Sequence, residues 1–328
     1  MATDPLFLNS LLSAPAAEAW QAIRTHLAEV WSAPFRPGKE LSEVRHRDQE
    51  LAHLDLLLSH SLWPLWESFA ATVPKASATL QQRWVSQSGG IAILILDGLS
   101  LREWPGLVHE AKERGFTLHS SEVLASELPA ETSAFAHALG FQGRSSLDNN
   151  GAASLHLPGA VTSTHNLPWQ DAAAAVTPAP RLLCWHHWPD DRLHALGGPD
   201  GGLDKLQGEA LHTFRSDAFW QFLTKLAQGR RLIISSDHGY AHTGGFPNVP
   251  ADQKDYLKEK FSAQRFRPGN VDTRAWLPPL TAVLPTATGS FTFVTGRRKW
   301  QVAGGFPSLS HGGLTLMETF VPFVELSK

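Results

Sequence analysis

The sequence predicts an α/β protein in which a mostly parallel sheet lies between helices and follows a small helical region. Two observations predict this class. From residue 89 onward, short and continuously apolar runs alternate with amphipathic segments, as in parallel sheets whose strands are buried on both faces. Before that point, apolar residues recur at helical spacing. The 328 residues suffice for two units, and we divide them into an N-terminal helical region, 1–88, and a core domain, 89–328.

The composition excludes several classes of protein. Hydrophobic residues make up 42% and charged residues 18%, a balance that excludes disorder or a coiled coil as the main architecture. The net charge of -3 excludes a strong overall attraction to nucleic acid or anionic membranes. Cys184 is the only cysteine, so no intrachain disulfide can form. Because the chain lacks a basic secretory leader and a membrane-spanning apolar run, we expect a cytoplasmic protein.

The N-terminal region contains two amphipathic helical patterns. Apolar residues recur at helical spacing from Ala16 to Trp31, and the prolines and glycine at 34–38 end that helix. A second stripe runs from Asp48 to Trp66, and Pro64 kinks or ends it. These stripes could dock a partner protein, although packing on the chain's own core is their commoner fate.

The core domain contains five apolar runs that predict buried strands. The first, IAILIL, ends at Asp97. The other four runs are RLLCWHHW (181–188), RLIISSDHG (231–239), FTFVTG (291–296) and FVPFVEL (320–326). Helical patterns such as Asp217 to Gln228 lie between some of them. The segment from Gly143 to Pro180, rich in Ser, Asn, Gly, Ala and Pro, predicts loops around the sheet.

Acidic and histidine residues follow several of the predicted strands. In open α/β sheets, ligands bind outside the carboxyl ends of the strands. The residues at these ends, or just before the last strand, are Asp97, Asp190, His194, Asp237, His238 and His311. Individually, an Asp-Gly pair is typical of a turn, and Asp190 with His194 fits an exposed helical pair. Together, they favour a site for zinc or manganese.

In order and spacing, these motifs resemble the PglZ family of the alkaline phosphatase superfamily. The resemblance covers residues 90 to 328. ILILDGLS resembles the first metal-binding strand, ELPAETSAFAHALG the nucleophile segment, and CWHHWPDDRLHAL and SSDHG two further ligand motifs. The most specific match is GRRKW (296–300), followed by HGGLT (311–315) and Pro322 in the last strand. The resemblance implies an alkaline-phosphatase-like core.

The resemblance also implies two divalent metal ions, with zinc expected and manganese as the alternative. By this resemblance, one ion is held by Asp97, Asp237 and His238, and the other by Asp190, His194 and His311. Asp191, His186 and His187 remain alternatives to Asp190 and His194, because they lie only a few residues away.

Thr132 is the nucleophile that the resemblance implies, and it also contacts a metal ion. A metal ion that stabilises the alkoxide makes an alcohol reactive at neutral pH. Ser133 remains an alternative, because the segment reads P-A-E-T where P-S-x-T is expected. The other explanation for Thr132 is the N-cap of the helix that follows.

The implied function is a two-metal phosphohydrolase, favoured as a phosphodiesterase or nuclease on nucleic acid or a nucleotide. The implied setting is bacterial defence against phage, as with the PglZ components of BREX systems. Two alternatives stay open: a catalytically silent scaffold of a defence complex that docks through its N-terminal helices, and a phosphomonoesterase or phosphomutase on a small metabolite. Basic residues in 254–267 and at 297–299 could guide a polyphosphate, or could simply be solvated.

Overall fold

A computed structural model of the chain describes residues 5–150, 155–197, 202–243, 246–301 and 308–328. The strands are β1 (Gly90–Leu96), β2 (Thr117–Ala125), β3 (Val161–His165), β4 (Arg181–His186), β5 (Arg230–Ser235), β6 (Ala241–His242), β7 (Phe266–Pro268), β8 (Thr281–Thr286), β9 (Gly289–Val294), β10 (Leu309–Ser310) and β11 (Phe320–Ser327). The helices are α1 (Pro5–Ser13), α2 (Ala16–Ser32), α3 (Glu40–His60), α4 (Leu65–Thr72), α5 (Ala76–Ser86), α6 (Trp104–Glu113), α7 (Thr132–Ala138), α8 (Trp169–Ala175), α9 (Asp190–Leu196), α10 (Gly202–Arg215), α11 (Asp217–Ala227), α12 (Ala251–Phe261) and α13 (Leu316–Thr319). A 3-10 helix spans Arg144–Asn150.

The main sheet has six strands in the order β2-β11-β5-β1-β4-β3. Neighbouring strands from β5 through β1 and β4 to β3 are parallel, whereas β11 is antiparallel to both β5 and β2. All strands of this sheet except β11 therefore point in one direction. The predicted class, α/β with a mostly parallel sheet after N-terminal helices, is confirmed.

The two edge strands were not predicted from the sequence. β2 reads TLHSSEVLA, and β3 reads VTSTH within the segment expected to form only loops. Edge strands have one neighbour and exposed positions, so they do not show the continuous apolar run of a central strand. The run at 291–296 contributes to β9, which pairs with β7 and β8 in a separate antiparallel sheet and not in the main sheet.

The N-terminal region contains five helices where the sequence predicted two, and of those two the second differs clearly from its predicted bounds. α3 begins at Glu40, eight residues before the predicted start, because its first turns are too polar to show an apolar stripe. It ends at His60, and α4 begins directly after Pro64. Pro64 therefore starts a new helix, a position where the missing N–H costs nothing.

Helices α1 to α4 pack on one face of the sheet, and α5 packs on the other. Ala92, Leu94 and Leu96 of β1 share a buried cluster with α1 to α4, whereas Ile91, Ile93 and Ile95 face α5 and α7. The buried stripe of the N-terminal helices includes Trp20, Ile23, Leu27, Leu51, Leu54 and Leu58. These side chains are covered by the chain's own core, so a partner protein would contact the opposite helix faces. In the parts of the chain that the structure describes, no helix is long and apolar enough to cross a membrane.

The topology brings the predicted site residues to one edge of the sheet. Asp97 follows β1 and Asp237 follows β5, while Asp190 opens the helix after β4. Thr132 opens the helix that follows β2. Because β11 runs the other way, His311 in the loop that precedes it lies at the same edge. This edge is where open α/β sheets bind their ligands.

Candidate metal centre

The first group of possible metal ligands consists of Asp97, Asp237 and His238. Their ligand atoms lie within 4.8 Å of one another, and all three residues are fully buried. His238 Nε2 is 3.5 Å from Asp97 Oδ1 and 3.5 Å from Asp237 Oδ2. The Gly98 amide donates a 3.0 Å hydrogen bond to Asp237 Oδ1, which orients that carboxylate. The arrangement leaves two carboxylate oxygens and one imidazole nitrogen converging on one point.

The second group consists of Asp190, His238 and His311. The Asp190 amide donates a 2.9 Å hydrogen bond to the Asp97 carbonyl, which ties the two groups together. His311 Nε2 lies 3.9 Å from Asp190 Oδ1, and the His311 ring stacks on His238 with centroids 4.0 Å apart. Gly98 permits this close packing, since it adopts a φ of +73° and a Cβ there would meet Asp190 Cβ at 3.2 Å.

The donor set fits divalent metal ions. Nδ1 of His238 bonds the Gly239 carbonyl at 2.9 Å, and Nδ1 of His311 bonds the Ala130 carbonyl at 3.2 Å. Such bonds fix the ring orientation and leave Nε2 to face the carboxylates, as in metal-binding histidines. His238 Nε2 and Asp190 Oδ1 are buried without a hydrogen-bond partner. Since buried polar atoms normally have partners, these two atoms indicate a ligand between them.

The cluster shifts the pKa values of its own members. Burial, together with the negative charge of Asp237, raises the pKa of Asp97 well above its usual range. Burial alone would lower the pKa of His238, but the nearby Asp237, Asp190 and Asp97 carboxylates raise it to about 9. Burial and the charge of His238 lower the pKa of His311 to about 3. The neighbouring carboxylates are thus stabilised by a nearby positive charge, and protonated His238 lies among them and provides it.

Because His238 is protonated next to these carboxylates, we expect the metal-free protein to lose stability as the pH rises. A His238 pKa raised to about 9 contributes stability that is fully present below the unfolded value of about 6.5 and is lost as the pH rises through 9. Urea unfolding in EDTA measures this at several pH values between 6 and 9.5. We expect the stability difference between the parent chain and His238→Gln to shrink across that range. A difference that stays constant or grows would contradict the prediction.

Thr132 projects its hydroxyl into the first group. Its Oγ1 donates a 2.8 Å hydrogen bond to Asp237 Oδ2 and lies 3.4 Å from Asp97 Oδ1. Thr132 is the first residue of α7, whereas Glu131 occupies the N-cap position. The hydroxyl is thus directed at the carboxylates rather than used as a cap. The neighbouring Ser133 is exposed, and among the described residues none receives a hydrogen bond from its side chain.

His194 lies at the margin of the second group. It is one turn after Asp190 on α9, and its Nε2 is 3.3 Å from Asp190 Oδ2. Its side chain is 63% exposed, and its ring centroid is 5.5 Å from that of His311. The structure therefore has His238 where the sequence predicted His194 as third member, with His194 beside the group and facing solvent.

The alternative ligands lie outside both groups. His186 is buried and uses both ring nitrogens, Nε2 on the Leu167 carbonyl at 3.0 Å and Nδ1 on the Trp188 amide at 3.1 Å. His187 Nδ1 lies 3.9 Å from Asp191 Oδ2, away from the convergent oxygens. The geometry therefore favours Asp190 over these neighbours.

Two residues of the site were not found from the sequence. Arg144 and Trp185 both donate to Asp97 Oδ2, Trp185 Nε1 at 3.0 Å. With Oδ2 engaged by these donors, Oδ1 is the oxygen that faces Thr132 and His238. The sequence could have drawn attention to Arg144, because it is the only lysine or arginine between residues 143 and 180. Trp185 lies within a buried strand, where an apolar role is the ordinary expectation.

Three of the predicted basic residues have structural roles instead. Arg265 is buried and pairs with Glu318, with Nε 2.7 Å from Oε1. Arg297 is buried and pairs with Asp48 at 2.9 Å and Asp55 at 2.6 Å. Arg298 is also buried, and its Nε donates to a backbone carbonyl. Neither alternative raised for these three residues holds, because side chains so deeply buried neither reach a polyphosphate in solvent nor form a solvated face.

No protein-family model and no curated protein sequence matches this chain. Among solved structures, murine ectonucleotide pyrophosphatase/phosphodiesterase 5 is similar over 72% of this chain and 87% of its own, with 15% identity and a TM-score of 0.45. An inactive variant of the same murine protein in complex with AMP covers the same shares, with 14% identity and a TM-score of 0.42. This likeness is too weak to transfer an activity, so the chemistry of the site rests on its own residues.

Proposed function

We propose that the chain is a two-metal phosphodiesterase of the alkaline phosphatase superfamily that uses Thr132 as its nucleophile. The observation that carries the proposal is the position of Thr132 Oγ1, 2.8 Å from Asp237 Oδ2 and 3.4 Å from Asp97 Oδ1. A hydroxyl held between two carboxylates of a candidate metal site lies where a bound ion would activate it as a nucleophile for phosphoryl transfer. The order of the motifs along the chain, which resembles PglZ sequences, supports the superfamily.

Seven residues would hold the two ions. Asp97, Asp237 and His238 would hold the first ion, together with Thr132 Oγ1. His238 has only Nε2 to offer, because Nδ1 is engaged by the Gly239 carbonyl. One nitrogen does not ligate two ions, so Asp190 and His311 would hold the second ion with His194, whose Nε2 already lies 3.3 Å from Asp190 Oδ2. When bound, the two ions would stabilise the negative charge on the attacking and leaving oxygens.

The protein residues supply orientation. Asp237 Oδ2 accepts the hydrogen bond of the Thr132 hydroxyl and so orients Oγ1. Because the same carboxylate would ligate an ion, the proton that leaves Oγ1 passes to solvent. The Gly98 amide holds the other oxygen of Asp237 in place. Thr132 Oγ1 then bonds to phosphorus as the bond to the leaving alcohol breaks, giving a phosphothreonine. Water attacks the same phosphorus to release phosphate monoester and restore the hydroxyl.

The charges around the site favour a diester over a monoester. Within the described residues, Arg144 is the only lysine or arginine that contacts the ligand groups, since Arg265 and Arg297 are used in buried ion pairs. A phosphomonoester carries a charge of about -1.5 to -2 at neutral pH, whereas a diester carries one negative charge. A site with a single nearby arginine needs less additional positive charge to bind the diester than to bind the monoester.

We extend the proposal to nucleic acid or a nucleotide as the source of the diester, and to phage defence as the setting. The support for both is the resemblance to PglZ motifs alone. The ion pairs, burial and distances described above bear on the chemistry of the site and not on its cellular role.

Hydrolysis of bis-p-nitrophenyl phosphate tests the proposed activity. The protein is first treated with EDTA and then supplied with zinc or with manganese. We expect turnover that requires added metal and that exceeds turnover of p-nitrophenyl phosphate, because of the charge difference between the two esters. Faster hydrolysis of the monoester would replace the phosphodiesterase with a phosphomonoesterase. Absence of turnover in a folded protein that binds no metal would refute the enzyme and favour the scaffold.

A further inference from the structure

Helix α3 carries two aspartates that are buried in the core of the protein. Asp48 and Asp55 are 3% and 1% exposed, although they belong to the region that the sequence separates from the core domain. They are seven residues apart, so they lie on the same face of the helix, two turns apart. Buried carboxylates require charged or hydrogen-bonding partners, and the partners of these two come from loops around the metal centre.

Asp48 reaches the loops that follow β1 and β5. Its Oδ1 accepts two hydrogen bonds from Arg102, with Nε at 3.0 Å. Arg102 stands five residues after Asp97, and its Nη1 also donates to the Tyr240 carbonyl at 2.8 Å. Tyr240 stands two residues after His238. One buried arginine, oriented by Asp48, therefore connects the two loops that carry the ligands of the first group.

Asp55 reaches the loop that carries His311. Its Oδ1 accepts a 2.8 Å hydrogen bond from the amide of Leu316, the first residue of α13 and five residues after His311. Its Oδ2 accepts from Arg297 at 2.6 Å, and the same guanidinium donates to Asp48 Oδ2 at 2.9 Å. The two aspartates and Arg297 thus form one connected network beneath the site.

Glu318 holds the other side of the same loop. Its carboxylate accepts from the Gly313 amide at 2.8 Å and from the Thr315 hydroxyl at 2.7 Å. The loop between His311 and α13 is therefore fixed at both Gly313 and Leu316. His311 itself has one further hydrogen bond, from Nδ1 to the Ala130 carbonyl.

We propose that Asp48 and Asp55 of α3 are positioning residues for the metal centre, because they hold the three loops that carry Asp97, His238 and His311. Residues that orient ligands from behind typically change metal affinity by about 10- to 100-fold when they are removed. The helical region before residue 89 is then part of the metal-binding unit rather than a separate docking module. This inference rests on the proposed metal-dependent function and adds the elements that build its site.

Zinc titration of the full chain tests the inference without any measurement of activity. Competition with a chromophoric chelator gives the affinities of both ions for the parent chain, Asp55→Ala and Leu51→Ala. Leu51 lies on the same helix and is fully buried in an apolar environment, so Leu51→Ala is the matched control for lost packing. All variants are compared at a temperature where circular dichroism finds them fully folded. We expect Asp55→Ala to weaken the second ion by about tenfold and Leu51→Ala to leave it within about twofold.

A variant that fails to fold does not end the test. Asp55→Asn keeps an acceptor for the Leu316 amide and loses only the charge opposite Arg297, and we expect a smaller loss of affinity in the same direction. Zinc affinities of both Asp55 variants equal to that of the parent would overturn the inference, as would an equal loss in Leu51→Ala. A parent chain that binds no zinc would instead refute the metal-dependent function itself, so the two failures are distinguishable.

Discussion

Replacing Thr132 with alanine is expected to abolish metal-dependent diester hydrolysis, with kcat reduced by about 1000-fold or more. A covalent route has no other atom in the position of Thr132 Oγ1, which lies between Asp237 Oδ2 and Asp97 Oδ1. Loss of a nucleophile is among the most damaging single changes to an enzyme. The measurement is the steady-state hydrolysis of bis-p-nitrophenyl phosphate with saturating zinc.

Ser133→Ala is the matched control for this substitution. Ser133 is adjacent in sequence and also carries a hydroxyl, but its side chain is exposed. We expect Ser133→Ala to keep activity within about threefold of the parent, in the range of an ordinary surface change. Loss of activity in Ser133→Ala with retention in Thr132→Ala would exchange the two roles. A phosphorylated peptide that contains residue 132, trapped by acid quenching and identified by mass spectrometry, would locate the intermediate directly.

Asp237→Asn is expected to remove both metal-dependent activity and metal-dependent stabilisation. The Asp237 carboxylate contacts Thr132, Gly98 and His238. Asparagine keeps the shape and an acceptor for the Gly98 amide, so the fold is retained while the charge of the ligand is lost. We expect kcat/KM to fall by about 1000-fold, equivalent to about 4 kcal/mol. Ligand binding to the folded state alone raises the unfolding free energy by about 2.7 kcal/mol at 100 times Kd, so the zinc-induced rise in Tm should shrink in the variant.

Asp191→Asn provides the control for a change of charge near the site. The Asp191 side chain is 40% exposed and lies near His187 rather than the ligand groups. We expect its activity and zinc-induced rise in Tm to match those of the parent within about twofold. Equal losses in the two variants would indicate a general effect of charge. A full zinc response in Asp237→Asn would exclude Asp237 as a ligand.

The sequence by itself determined the fold class and the residues most suited to metal chemistry. Central strands such as β1 and β5 are recognisable because burial on both faces demands a continuous apolar run. Aspartates that follow directly on such strands, as Asp97 and Asp237 do, lie at the ligand-binding edge through the direction of the strands alone. These features depend on short stretches of chain, so a local pattern is enough to predict them.

The tertiary structure decided how those residues are combined and supported. The position of His238 in both ligand groups, the bond from Arg144 to Asp97, and the buried pairs of Arg265 and Arg297 each join segments far apart in the sequence. The sequence does not show whether a charged residue is buried. An arginine that could bind a phosphate in solvent can equally neutralise a buried aspartate. The contribution of α3 to the metal centre was hidden for the same reason, because it depends on contacts between Asp48 or Asp55 and loops that only the folded chain brings together.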